Sequence, residues 1–249
     1  MTSGGTVLIL GSAPHATLCR GWSRAGITSV VAINNAWRVR GDWNYLMRPD
    51  DFPDDRLPDS LRKDQQVIGS EAFVPAQNRF GGFVYAGGTM AFTAGYWALA
   101  ALRPSRMIFV GCDMIYPRTG KTHFYGAGTA DPLRADPSLR NLEAKSARLM
   151  LIAAKLGCTC LRAPERESRL VFPAIGTPSE IGPRLRPGDA DCSEVDAARA
   201  LEDHLGYFVP SGRYWEVEGQ FSLAQIDRLD QMWLAAHEAC GLGELMGVS

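Results

Sequence analysis

The stretch TVLILGSAPH, Thr6–His15, begins as an apolar run and ends in the turn Gly11-Ser12-Ala13-Pro14. An apolar run without polar alternation describes a strand covered on both faces, the habit of parallel sheets. A helix is expected next, from about Ala16 to Ala25, ended by Gly26. The same unit recurs outward from this one. SVVAINNAW gives a second buried strand that closes on Asn34 and Asn35, WNYLM (Trp43–Met47) a third, QQVIGS around Val67 a fourth, RMIFVG a fifth and CTCLRA a sixth. Between the fourth and fifth, GGTMAFTAGYWALAAL starts on two glycines and carries Ala91, Ala94, Gly95 and Ala98, small residues that let a helix pack closely on a sheet. Between the fifth and sixth, Asp136 as cap and Pro137 in the first turn open a helix that continues through LEAKSARLMLIAAKL to Gly157. This alternation predicts an open α/β sheet with helices on both faces.

Past Glu165 the alternation stops. FPAIGTPSEIGPRLRPGDAD is rich in Pro and Gly and reads as a long connection. Two helices are expected after it, one opened by Ser193 in S-E-V-D and one by Ser222 in S-L-A-Q, the latter the better capping box. On the second, Leu223, Ile226, Leu229, Trp233 and Cys240 share a face, for packing on the body or on a second copy of the chain.

The chain has 249 residues, 46% hydrophobic and 21% charged, enough to bury a sizeable core without staples. A formal net charge of -1 and the lack of any basic cluster argue against a nucleic-acid partner. The chain passes from MTSGG straight into the first strand, without the pattern of a secretion signal, so a cytoplasmic location is expected. AFTAGYWALAAL (Ala91–Leu102) is too short to span a bilayer. The six cysteines, Cys19, Cys112, Cys158, Cys160, Cys192 and Cys240, form no C-x-x-C pair and read as small apolar fillers in a reducing compartment. No metal site is expected from them.

In an open α/β sheet, ligands gather at the carboxyl ends of the strands. Four suggestive stretches fall there: GSAPH (Gly11–His15), NNAW (Asn34–Trp37), AGGT (Ala86–Thr89) and the loop opening at Gly111 in VGCDMIYPRTGKTHFYGAGTADPL. GSAPH is neither the dinucleotide fingerprint nor a P-loop, yet a glycine turn before a helix exposes N–H groups that suit a phosphate or ribose hydroxyl. Gly87, Gly88 and Thr89 offer a second such start. Asn34 and Asn35 either close their strand or hydrogen-bond a ligand. In the last loop Asp113 can meet a ribose or a metal, Tyr116 and Tyr125 can donate to phosphate oxygens, and His123 can act as acid or base. The bland alternative is a β–α connection with aromatic packing.

These residues also resemble a known family. GSAPH is similar to the Gly-x-Gly-Pro-Ser turn of bacterial CMP-sialic-acid-dependent sialyltransferases, and NNAW resembles their second-strand end. GGTMAFTAGYWALAALRPSRMIFVGCDMIY resembles their glycine turn, small-residue helix, strand and Gly-x-Asp loop. VGCDMIYPRTGKTH also resembles the Gly-x-Asp-Leu…Gly-Lys-Thr-His pattern of the motility-associated factors that glycosylate flagellin, and of archaeal-type 6-hydroxymethylpterin pyrophosphokinases. The resemblance covers about Val7 to Pro164. It implies a Rossmann-like nucleotide-binding α/β domain over residues 1–164; residues 165–249, which it does not cover, read from their own pattern as a loop-rich and helical extension packed on that domain. It implies that Gly11, Ser12, Asn34 and Asp113 meet the nucleotide, that Gly88 and Thr89 meet its phosphate side, and that Tyr116 and Tyr125 steady the leaving phosphate; Asn35, beside Asn34, joins the nucleotide candidates on its own chemistry. There are departures: Ser12 stands where an Asn is usual and His15 where a Ser is usual. The base histidine that the sialyltransferases carry before the next helix is absent, Asp136, Pro137 and Ser138 standing there.

The expectation is therefore an inverting, metal-independent glycosyltransferase taking a CMP-activated nonulosonic sugar to a glycan or protein acceptor, with His123 as base and no cofactor. The alternatives are an ATP- and Mg²⁺-dependent pyrophosphokinase-like phosphotransferase and a nucleotide-binding module without catalysis.

Overall fold

The structure, a computed structural model, describes residues 4–116, 120–126, 135–180 and 182–242. Six parallel strands form one open sheet: β1 (Thr6–Leu10), β2 (Ile27–Ile33), β3 (Tyr45–Met47), β4 (Gln66–Ile68), β5 (Arg106–Val110) and β6 (Thr159–Ala163). Their spatial order is β4-β3-β2-β1-β5-β6, with every pairing parallel. The chain thus winds outward from β1 in one direction, then returns to lay β5 on its other side. That reversal makes the carboxyl ends of β1 and β5 the switch point, where sheets of this kind hold their ligands. The expected α/β, Rossmann-like architecture is the one observed.

Successive side chains of a strand point to opposite faces, and the core divides accordingly. Val7, Ile9, Val31, Met107 and Phe109 join one apolar cluster; Leu8, Leu10, Val30, Ile108 and Val110 join the other. The first face carries the described α-helices: α1 (Ser70–Asn78), α2 (Phe83–Ala86), α3 (Met90–Ala101), α4 (Leu142–Lys155), α5 (Ser193–Leu205) and α6 (Leu223–Ala239). The second is covered by 3-10 turns, Pro14–Gly21 and Asn34–Arg38. The expected α-helix over Ala16–Ala25 is therefore shorter and tighter. The Cys19 carbonyl accepts from Trp22 N–H, three residues on, and from the buried Arg40 guanidinium, which compete with an α-helical bond.

Elsewhere three more expectations change. Asp136 does cap a turn at Pro137, but only a 3-10 turn, Pro137–Leu139; the helix proper starts after a second cap, Asn141, whose side chain accepts from Ala144 N–H. Ser193 lies within α5, and Cys192 holds the cap position, whereas Ser222 caps α6 as expected by accepting from Gln225 N–H. Cys192 and Cys240 are not fillers: they join as a disulfide between the start of α5 and the end of α6, while the other four cysteines are free and buried. None of the described helices is long and apolar enough to cross a membrane.

The C-terminal helices are fastened to the body by buried charge. Arg148 of α4 forms a two-pronged ion pair with Glu202 of α5, at 2.6 and 2.8 Å. Arg148 also donates to the Tyr96 hydroxyl of α3 at 2.7 Å, and Trp233 of α6 donates to Glu202 at 2.9 Å. Lys145 of α4 pairs with Asp230 of α6 at 2.8 Å, both side chains being 1% exposed. α6 thus packs on this chain's own α4 and α5, along the face of Ile226, Leu229 and Trp233, with Leu223 left exposed.

Candidate functional site

Gly11 ends β1 and Gly111 ends β5, and their backbones nearly touch. A Cβ on Gly11 would come within 2.2 Å of the Gly111 carbonyl, and one on Gly111 within 2.6 Å of the Ala16 Cβ. Gly111 also sits at φ +69°, a conformation that costs other residues strain. The turn is tied by Gly11 N–H to Val110 carbonyl and Ala13 N–H to Gly111 carbonyl. Two non-glycine residues at positive φ flank the same edge, Asn34 at +52° after β2 and Met114 at +58° after β5. Strain of this kind collects at functional sites.

A small cavity of about 10 Å³ opens at this edge, room for one water-sized group. His15, Gly111, Asp113, Arg162, Arg166 and Ser168 line it. His15 Nδ1 lies 3.5 Å from Asp113 Oδ2, with the side chains 8% and 14% exposed. Burial, aided by the Arg166 charge, pushes the His15 imidazole down to about 4. Burial also holds the Asp113 carboxyl above its ordinary value, against the pull of the Ile115 amide and of Arg166. With its imidazole held down to about 4, His15 is neutral at pH 7, so the two side chains are not an ion pair there. The segment after β6 reaches the cavity because Arg169 N–H donates to the Asp113 carbonyl and Arg162 clamps the Arg166 and Phe172 carbonyls. The peptide bond Ala163–Pro164 within it is cis.

The expected site residues divide into three groups. Gly11 and Ser12 meet the loop that carries His123 and Tyr125, and Asp113 reaches the same turn through His15. Phe124 N–H donates to the Ser12 carbonyl at 3.0 Å, which lays the loop of residues 120–126 over the first turn. His123 stacks on Tyr125, ring centres 5.0 Å apart, and its Nδ1 lies 2.8 Å from the Thr122 hydroxyl. Burial lowers the His123 pKa from its ordinary value, so this ring too is neutral at pH 7. Tyr125 is 43% exposed. Asn34 and Asn35 stand at the neighbouring strand end, and the side-chain carbonyl of each is buried with no hydrogen-bond partner. Such an orphaned acceptor costs about 1–3 kcal/mol.

Tyr116 packs against the helical-face core instead. Gly88 and Thr89 belong to a closed polar cluster. Asp136 accepts from Ser138 N–H, the Ser138 hydroxyl and the Tyr214 hydroxyl at 2.6–2.7 Å, and Gly88 N–H donates to Ser138 at 3.1 Å. The Thr89 hydroxyl accepts from Phe92 N–H as the cap of α3. Neither residue lines the cavity.

The chain matches no family model, no curated protein and no solved structure. His15 and Arg166 were the residues least visible in the sequence, 151 positions apart by number (166 − 15) and joined only because β5 lies between β1 and β6. The one signal for His15 was its place in the turn after β1. Among the described residues no three His, Cys, Asp or Glu side chains gather as a metal-binding group.

Proposed function

We propose that the switch point at β1 and β5 binds a cytidine nucleotide and that the protein is a glycosyltransferase using a CMP-activated nonulosonic sugar, inverting and metal-independent. One observation carries the reading: the Phe124–Ser12 hydrogen bond brings the His123–Tyr125 pair onto the glycine turn at the switch point. Two stretches more than a hundred residues apart in sequence, Ser12 and Phe124, thus meet where the fold exposes ligands. The resemblance of GSAPH, NNAW and the Gly-x-Asp loop to the sialyltransferases supplies the nucleotide's identity.

In this reading the nucleotide lies along Gly11 and Ser12, and Asn34 and Asn35 give their unpartnered carbonyls to its hydroxyl or amino donors. Tyr125 donates to the departing phosphate. A donor that acts only as charge develops speeds the chemical step without tightening the ground state. The test is a thermal-shift series with CMP, CDP, UDP, NAD and ATP with Mg²⁺. A bound ligand stabilises the native state by mass action, so CMP should raise the melting temperature most. A shift confined to ATP with Mg²⁺ would instead favour a pyrophosphokinase-like phosphotransfer.

A further inference from the structure

We infer that His15, backed by Asp113, is the general base that deprotonates the acceptor hydroxyl in the water-sized cavity at the mouth of β5. This role rests on the CMP-sugar reading above. The sequence lacks a histidine before the helix after the Gly-x-Asp loop, and the structure fills that place with the closed Asp136–Ser138–Tyr214 cluster. It offers two other imidazoles at the sheet edge. His123 is already engaged: its Nδ1 meets Thr122, and its ring stacks on Tyr125. That arrangement orients Tyr125. His15 is built differently. Its Nδ1 lies 3.5 Å from Asp113 Oδ2; with the ring proton on that side, the Nε2 lone pair is the one left to receive another. The cavity that His15 lines holds one water-sized group, the size of the hydroxyl to be activated. Arg166 and Ser168 line the same cavity.

The step balances. The acceptor O–H gives its proton to His15 Nε2, and the freed oxygen pair attacks the anomeric carbon of the sugar. The bond from that carbon to the phosphate oxygen breaks, and CMP leaves with the bonding pair. Asp113 is a positioning residue: it fixes the tautomer and offsets the imidazolium charge as it forms. Water in place of the acceptor gives hydrolysis by the same step.

The experiment compares wild type with His15→Asn, His15→Gln and His123→Asn. His15→Asn places an amide near the Nδ1 position, keeping a donor for Asp113 while removing the base; His15→Gln guards against a folding defect in the first. Melting temperature, CMP affinity by calorimetry and turnover of CMP-sialic acid, with and without acceptor, are measured for each. Expected are CMP affinities within about threefold of wild type, turnover lower by about 10²–10⁴ in both His15 variants, and partial rescue by added imidazole, which a merely structural role would not show. Turnover within about threefold of wild type in a folded His15 variant overturns the assignment, as does a loss confined to His123→Asn. Wild type that turns over the CMP-sugar keeps the substrate class even if the base is wrong. Wild type that binds no CMP removes the class and the step with it.

Discussion

Two polar clusters, one in the helical layer and one at the sheet edge, are built on opposite terms. In the helical layer, Arg148, Glu202, Tyr96 and Trp233 are buried and answer one another bond for bond. At the sheet edge, the Asn34 and Asn35 carbonyls have no partner, His15 stands 3.5 Å from Asp113, and two non-glycine residues hold positive φ. The first cluster uses its polar groups to dock α5 and α6. The second leaves acceptors open, and a fold retains such costs where a ligand meets them. Satisfaction separates these two clusters, although the helical layer has buried unpartnered acceptors of its own, Gln77 Oε1 and Asp230 Oδ2.

The largest expected effect lies in the satisfied cluster. Arg148→Ala removes the two-pronged partner of the buried Glu202 and leaves it the half-exposed Arg199 and the Trp233 indole; breaking a buried pair costs about 3–5 kcal/mol, and Arg199 keeps the loss toward the lower end. A melting point lower by on the order of 10 °C should follow. CMP affinity per folded molecule should hold, which calorimetry on the folded fraction checks. The pair Arg148→Met with Glu202→Leu sharpens the point, since an apolar replacement should recover much of the loss. Equal losses in single and double variants would mean that this cluster is not self-contained.

Next comes Tyr125→Phe. With the ring stack kept, only the hydroxyl is lost, and turnover should fall by about 10²–10³ while the melting temperature stays near wild type. A stability loss with normal turnover would place Tyr125 in the scaffold.

How far this contrast could be read in the sequence follows from its physics. β1, β2, β5 and β6 were legible because strands buried on both faces read as apolar runs; β3 and the half-exposed edge strand β4 showed only as short apolar pieces between polar segments. α1 was not, since Pro75 lies inside it and an internal proline signals a break. Gly11, Asn34 and Asp113 were legible as strand ends, because position in an α/β repeat fixes the edge. Arg166 and the Cys192–Cys240 pairing were not, because each depends on a contact that only the finished sheet and helix layer create. His123 read as a neutral-range titrator, and burial moves it lower.

A smaller effect concerns pH. His15, His123 and His237 are all lowered by burial, His15 to about 4. Their unfolded forms bind protons first, so each contributes stability that is full above about 6.5 and lost as the pH falls towards the folded value. Asp113 and Asp230, raised by burial, act in the opposite sense above 3.8. The difference between wild type and His15→Asn isolates one residue: the melting temperature of the variant should fall less between pH 6.5 and 4. Parallel curves would mean that His15 titrates alike in both states.

The measurement closest to the central claim is CMP calorimetry in EDTA on wild type and Asn34→Gly, each with its melting temperature. Glycine relieves the positive φ and removes the orphaned carbonyl. The account predicts metal-free CMP binding by wild type. In the variant it predicts affinity about tenfold weaker, some 1.4 kcal/mol, with a melting temperature equal or higher. Undiminished affinity with a lower melting temperature would contradict it, since Asn34 would then serve the fold and the strained edge would not be the nucleotide's seat.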